Sequence, residues 1–319
     1  MILITGATGY IGRNLVAALM PLPIPLRCLI AQDDLKNISW DRDDPNAPEI
    51  IVGTIDDEEI VYTAMVGIHT IFHLENAFWW GNASDLEKVE MDGTRNVLTN
   101  ARAARVGRII FLSQLGAAPS SAFTLHKIKG MVEDLIRNSG LAYTIIRPGI
   151  VFGEEDAFIN HIVAMLTTNP FFFLMPGQGE VSLHPLYIDD LIQMLINTLD
   201  AIELVDTVID VGGIEYQSAK ELIQTVMRVS GKRRLIISVP PYFMRIIVRF
   251  FSFILPRSLI TPQWLDILAT NRTAPLSNSF QYFKVHPRRF EDTLITYLPN
   301  RSWLLYSLKR TFRRRPKAT

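Results

Sequence analysis

A doubly wound, parallel α/β sheet with a smaller, mostly helical C-terminal lobe is the fold this sequence predicts. Three observations carry it. Strand-like apolar runs alternate with stretches of helical periodicity through the first half of the chain. The first of these strands runs straight into three glycines spaced three apart, and past residue 150 the alternation gives way to irregular, proline-punctuated segments. Repeated β-α units force parallel strands with helices on both faces. With 319 residues, 48% of them hydrophobic, the chain can fill a main core and a second, smaller one.

The elements follow in order. Ile2 to Ile4 is a β-type apolar run, and Tyr10 to Met20 repeats apolar residues at helical spacing through Ile11, Leu15, Val16, Ala18 and Leu19. Gly6, Gly9 and Gly12 therefore sit where a buried strand hands over to a helix. Gly6 permits the tight turn, Gly9 lets the backbone approach a pyrophosphate, and Gly12 lets the helix pack on the strand, so the phosphates lie at the helix N-terminus. At a background glycine frequency of about 7%, three fixed positions match by chance roughly three times in ten thousand, which makes nucleotide binding the leading expectation. Strands are predicted at 26–30, 49–52, 70–74, 108–113, 142–147 and 207–211. Helices are predicted at 57–66, 85–104, 123–139 and 188–199. Residues 1–150, with 184–212 returning to them, make a Rossmann-type dinucleotide-binding core. Residues 151–183 and 213–300 form a lobe over the cofactor, with Phe158 to Leu166 a helix, Phe171 to Gly179 aromatic and turn-rich, and 212–300 mostly helical.

The single cysteine, Cys28, lies in the second strand, which excludes a disulfide and a cysteine metal cluster and fits a reducing, cytosolic setting. No metal site and no nucleic-acid partner are expected. The first strand starts at residue 2, so no cleavable signal is expected. Lys309, Arg310, Arg313, Arg314, Arg315 and Lys317 crowd a basic tail (301–319) with no acid among the last eleven residues. Such a tail is a handle for an anionic membrane surface or a protein complex. A cytoplasmic location is expected, with a peripheral position on the inner face of the membrane as the alternative. Tyr242 to Leu255, started by Pro240-Pro241 and ended by Pro256, is an apolar helix with Arg245 and Arg249 on one face. It packs on the lobe or lies in a membrane interface.

Seven stretches read as a set: Thr5 to Gly12, Thr70-Ile-Phe-His-Leu74, Asp92-Gly-Thr-Arg-Asn96, Phe111-Leu-Ser-Gln-Leu-Gly-Ala117, Ile146-Arg-Pro-Gly-Ile-Val-Phe-Gly153, His184-Pro-Leu-Tyr-Ile-Asp-Asp-Leu191 and Pro262 to Leu268. They resemble the atypical and extended short-chain dehydrogenase/reductase group (NAD-dependent epimerase/dehydratase-like), and within it the nucleotide-binding accessory subunit of respiratory complex I and its bacterial relatives. Sugar-nucleotide epimerases share many of the early ones. The resemblance implies a dinucleotide lined by Gly6, Thr8, Gly9, Tyr10, Ile11, Gly12, Arg13, Asp33, Asp56, Leu74, Lys129 and Pro148. It also points to Ser113 and Lys129 as the catalytic candidates.

Reductases of this superfamily place a tyrosine four residues before a lysine; the ammonium holds the ribose and favours the ionised phenol, which exchanges a proton with substrate. Alignment through Lys129 puts Leu125 at the tyrosine position, and alignment through Lys127 puts Phe123 there. Neither transfers a proton. Tyr216 and Lys220 have the right spacing in the wrong part of the topology. His126 is one position out of register, about 100° around the helix, and is expected to be exposed or capping.

An acid after the second strand would bind the ribose diol of NAD, and an arginine would favour the 2′-phosphate of NADP. Asp33 or Asp34 supplies the first; Arg13 is the counterargument, its guanidinium able to reach a 2′-phosphate. NAD is slightly favoured. Thr54 stands where the adenine-contacting acid is usual, with Asp56 or Asp57 to compensate. Glu75 brings a carboxylate close to the pyrophosphate, where it would repel it. The absent tyrosine points to a structural, assembly or redox-sensing component; the alternative is an active oxidoreductase or sugar-nucleotide epimerase/dehydratase with an altered proton donor. Phe171, Phe172 and Phe173 suit an apolar small molecule such as a quinone or isoprenoid.

Overall fold

The computed structural model describes residues 1–76, 86–254, 261–300 and 303; the basic tail and the Pro256 stop lie outside the described residues. Seven parallel strands form the central sheet: β1 (Ile2–Thr5), β2 (Leu26–Ile30), β3 (Glu49–Val52), β4 (Thr70–His73), β5 (Arg108–Leu112), β6 (Ala142–Pro148) and β11 (Thr207–Val211), in the order β11-β6-β5-β4-β1-β2-β3. Every residue of β1, β4 and β5 is buried, as the continuous apolar runs of a sheet covered on both faces require. Helices Tyr10–Leu19 and Ile188–Asn197 close one face through Leu15, Val16, Leu191 and Leu195. Helices Glu58–Met65, Gly93–Ala103 and Thr124–Arg137 close the other through Val61, Val97, Ile128 and Val132.

After Pro148 the chain leaves the sheet. β7 (Ile150–Phe152) pairs with β10 (Pro185–Tyr187), and β9 (Ser182–Leu183) pairs antiparallel with β12 (Gln217–Ser218). A second core gathers here, with Phe158 stacked on Trp264 at 5.4 Å and Phe152 edge-on to Phe290. The sequence expectation needs one correction. Residues 171–179 and 212–300 contribute a parallel ribbon, β8 (Phe172–Pro176) with β13 (Leu235–Val239). Both runs are five residues long and next to prolines, too short for periodicity to separate strand from helix entry.

Under the sheet's carboxyl edge lies a buried charge lattice. Glu133, fully buried, accepts from Ser113 Oγ at 2.6 Å, Arg147 Nε at 2.7 Å and Arg137 at 2.9 Å, and Arg147 also reaches Asp210 at 3.6 Å. The pairing with Glu133 holds the Arg147 guanidinium above its ordinary value. Arg147→Met should leave Glu133 short of a cation and cost about 3 kcal/mol in urea unfolding, whereas Ser113→Ala should cost only about 1 kcal/mol.

Candidate functional site

Strand order reverses between β1 and β4, and an open α/β sheet binds its ligand in the crevice beyond the carboxyl ends at that reversal. The glycine turn sits there. Gly6 has φ +70°, and a Cβ on it would lie 2.7 Å from the Leu74 carbonyl at the end of β4. A Cβ on Gly12 would lie 2.1 Å from the Gly6 carbonyl oxygen. These two contacts press the helix Tyr10–Leu19 onto the crevice. Gly9 is the exposed N-cap, with no side chain capping the helix, and its only close neighbour would be the Gly6 oxygen at 3.2 Å. Arg13 N–H already bonds to the Gly9 carbonyl, which leaves the first-turn N–H groups of Tyr10, Ile11 and Gly12 as the donors a helix start always leaves over. An open glycine surface facing uncapped donors at a helix N-terminus fits a dinucleotide diphosphate. Thr8 is half-buried in the same turn, and Leu74, buried, bonds through its N–H to the Thr5 carbonyl.

Beyond the ends of β2 and β3 the crevice is acidic. Asp33 is exposed on the turn Gln32–Asn37, while Asp34 accepts from Asn37. Asp57 caps the helix Glu58–Met65, accepting from Ile60 N–H, and Asp56 pairs with Lys88 at 2.9 Å. Arg13 is held by Glu155 at 2.6 Å, so reaching a 2′-phosphate requires breaking that pair. Glu75, half-buried, accepts from the Gly6 N–H at the mouth of the cradle. Burial, then the nearby carboxylates of Asp34, Glu90 and Asp56, push its carboxyl up to about 7.

Beyond the ends of β5 and β6 the two catalytic candidates are tied into the interior. Lys129, 2% exposed, pairs with the buried Glu90 at 2.8 Å and lies 5.1 Å from the Phe111 ring centre. Glu90 comes from a π-helical turn, Glu87–Asp92, which widens the helix before Gly93. Ser113 donates to Glu133 and is itself buried. Leu125 is half-buried, and Pro148 is buried beneath the Leu115 N–H that its carbonyl receives. His126 is neither exposed nor capping: it is 1% exposed, edge-on to Phe123, and burial followed by the Arg272 charge lowers it to about 3. It is covered by the loop at Gly116 and by Phe123, away from the sheet-facing Ile128 and Val132, so the helical period gave no signal of its burial. His73 bridges Thr5 Oγ1 at 2.8 Å and Thr94 Oγ1 at 2.9 Å; burial and then Lys129 lower it to about 3, so it stays neutral. Cys28 is buried, its thiol pushed up to about 12. No cluster able to hold a metal ion occurs among the described residues.

Residues 6–167 match the family model described as NAD(P)H-binding. The chain belongs to that family. It is similar to the Photosystem II assembly factor Ycf39 of Cyanophora paradoxa, 24% identical over 247 residues that cover 77% of this chain and 73% of that protein. An uncharacterized protein of Mycobacterium bovis is 27% identical over 224 residues, 69% of this chain but only 22% of that longer one. The ceramide reductase of Caulobacter vibrioides is 25% identical over 183 residues, 57% of this chain and 56% of that one. Among solved structures, the NADPH-dependent quinone oxidoreductase QOR2 of Escherichia coli superposes with a TM-score of 0.74 at 16% identity, covering 94% of this chain and all of that one. A UDP-glucose 4-epimerase of Thermotoga maritima gives 0.70 at 18% identity, covering 96% and 99%. The likeness to solved structures is one of fold. The family and the short-chain dehydrogenase and epimerase type of fold stand as expected from the sequence; these relatives do not carry the narrower likeness to a complex I subunit.

Gly9 has φ −70° and ψ 171°, which aspartate adopts freely, and aspartate is a good N-cap. Gly9→Asp should therefore leave the melting temperature within a few degrees while putting a carboxylate where the phosphates go, and calorimetry should show dinucleotide uptake lost. Glu75 ionises as pH rises through about 7, so dinucleotide affinity should fall between pH 6 and 8, by about 1 kcal/mol or roughly fivefold in Kd. Glu75→Gln should flatten that profile at the tighter level.

Proposed function

We propose that this chain holds a nicotinamide dinucleotide without the proton relay of its reductase relatives, and serves as a structural, assembly or redox-sensing component. The carrying observation is the buried Lys129–Glu90 pair beside Leu125. The ammonium that would favour a phenolate is neutralised and the phenol is absent. The glycine cradle, with Gly6, Thr8, Gly9, Tyr10, Ile11, Gly12 and Leu74, would hold the diphosphate and Asp33 the adenosine ribose. Pro148 would back the nicotinamide, whose hydride chemistry the dinucleotide itself supplies. NAD is favoured over NADP, because Arg13 is engaged by Glu155. The similarity to a Photosystem II assembly factor over 77% of the chain supports an assembly role. An apolar ligand would meet the aromatic segment Phe171 to Phe173, and a cytoplasmic, membrane-peripheral position agrees with the absence, among the described residues, of any helix long and apolar enough to span a bilayer.

The second reading, an active oxidoreductase or epimerase with an altered donor, draws on the reductase among the relatives. Calorimetric titration with NAD, NADH, NADP and NADPH is the test. Uptake of the NAD pair several-fold tighter than the NADP pair is expected; uptake of none of the four would sink the proposal.

A further inference from the structure

The helix Pro241–Ile254 is anchored on one side only. Met244 and Val248, each 1% exposed, enter the second core, and Arg245 holds Asp266 at 2.9 Å. On the opposite side Tyr242, Phe243, Ile246, Phe250 and Phe253 are exposed, from 51% at Ile246 to 91% at Phe253. At 100° per residue these five side chains fall within an arc of about 100°, and Arg249 lies next to its edge. β13, which feeds the helix through Pro240, exposes Leu235 as well. Contiguous aromatic and aliphatic surface of this kind is unfavourable in water and marks a contact site.

The charge around it selects the partner. Residues 222–265 contain no aspartate or glutamate and seven lysines or arginines. Arg228 and Arg245 are paired with Glu291 and Asp266. Lys232, Arg233 and Arg249 enter no ion pair among the described residues. We propose that this face docks on an anionic lipid bilayer, with the aromatic arc in the interface and Lys232, Arg233 and Arg249 at the headgroup phosphates. A second copy of the chain fits less well, because a two-fold contact would set the same cations, Lys232, Arg233 and Arg249, against themselves. Among the described residues no helix is long and apolar enough to cross a bilayer, this one contributing 14 residues where about 20 are needed. The inference deepens the membrane-peripheral position proposed above and rests on the surface of the lobe, not on the dinucleotide cradle.

Flotation of the full chain with vesicles of phosphatidylcholine alone, or of phosphatidylcholine with phosphatidylglycerol, tests it. Binding to the anionic vesicles, weakened by salt, is expected. Phe250→Asp combined with Phe253→Asp should reduce partitioning at least about tenfold with circular dichroism and melting temperature unchanged, both positions being solvent-exposed. Replacing Arg313, Arg314 and Arg315 by Gln should leave most of the binding in place. The proposal is overturned if wild type ignores anionic vesicles, or if the double phenylalanine variant floats as well as wild type. Loss of binding on changing the tail alone would overturn it too, as would a wild-type dimer in ultracentrifugation that the phenylalanine variant dissociates. Dinucleotide calorimetry on the same variants keeps this outcome separate from that of the cradle, since their affinities should match wild type.

Discussion

The close approach of three backbone segments at the first turn governs the rest of the structure. Gly6 has no room for a side chain against the end of β4, and Gly12 has none against Gly6. Each side chain removed lets the helix Tyr10–Leu19 start one step nearer the strand-order reversal, with its unpaired N–H groups aimed across the crevice. Strand β4 and helix Tyr10–Leu19 are thereby locked to β1, and the cradle inherits their rigidity. No side chain in the turn is needed to hold an anion there, because the donors are backbone groups fixed by the packing itself.

Around that cradle the polar groups have been turned inward. In a catalytic arrangement a serine, a lysine and a tyrosine converge on the reacting carbon. Here Ser113 donates into Glu133, Lys129 is paired with Glu90 over the Phe111 ring, and Leu125 offers no proton. Groups that could serve transfer instead fasten the helix Thr124–Arg137 to the sheet and to the π-helical turn in front of Gly93. The two nearby histidines, His73 and His126, are held neutral by burial and cannot replace the phenol as acids near pH 7. The positive charge this region keeps is already balanced, while Glu75 adds negative charge at the phosphate end.

The sheet was legible because buried parallel strands read as unbroken apolar runs and the connecting helices keep their period; β11 was placed to the residue and β1 to within one. The glycine turn was legible because backbone approach needs glycine whatever surrounds it. What the sequence could not carry were pairings between distant positions. Arg13 and Glu155 are 142 residues apart, and Lys129 and Glu90 are 39 apart; which charge meets which is decided by the fold. The ribbon of β8 and β13 was missed for the same reason, since each strand alone is a short apolar run defined by a partner some sixty residues away. Burial of His126 depends on the loop at Gly116 to Ala118 folding over it, including the Ala118 N–H that bonds to its carbonyl.

Without a proton donor beside it, a bound nicotinamide should keep its hydride. Saturating the protein with NADH and following the bound nicotinamide fluorescence in the presence of ketone and quinone acceptors measures this. The signal should be enhanced and should decay no faster than that of free NADH. A first-order loss of reduced nicotinamide in wild type, abolished by Gly9→Asp, would contradict it and make the protein an oxidoreductase with an unrecognised proton donor.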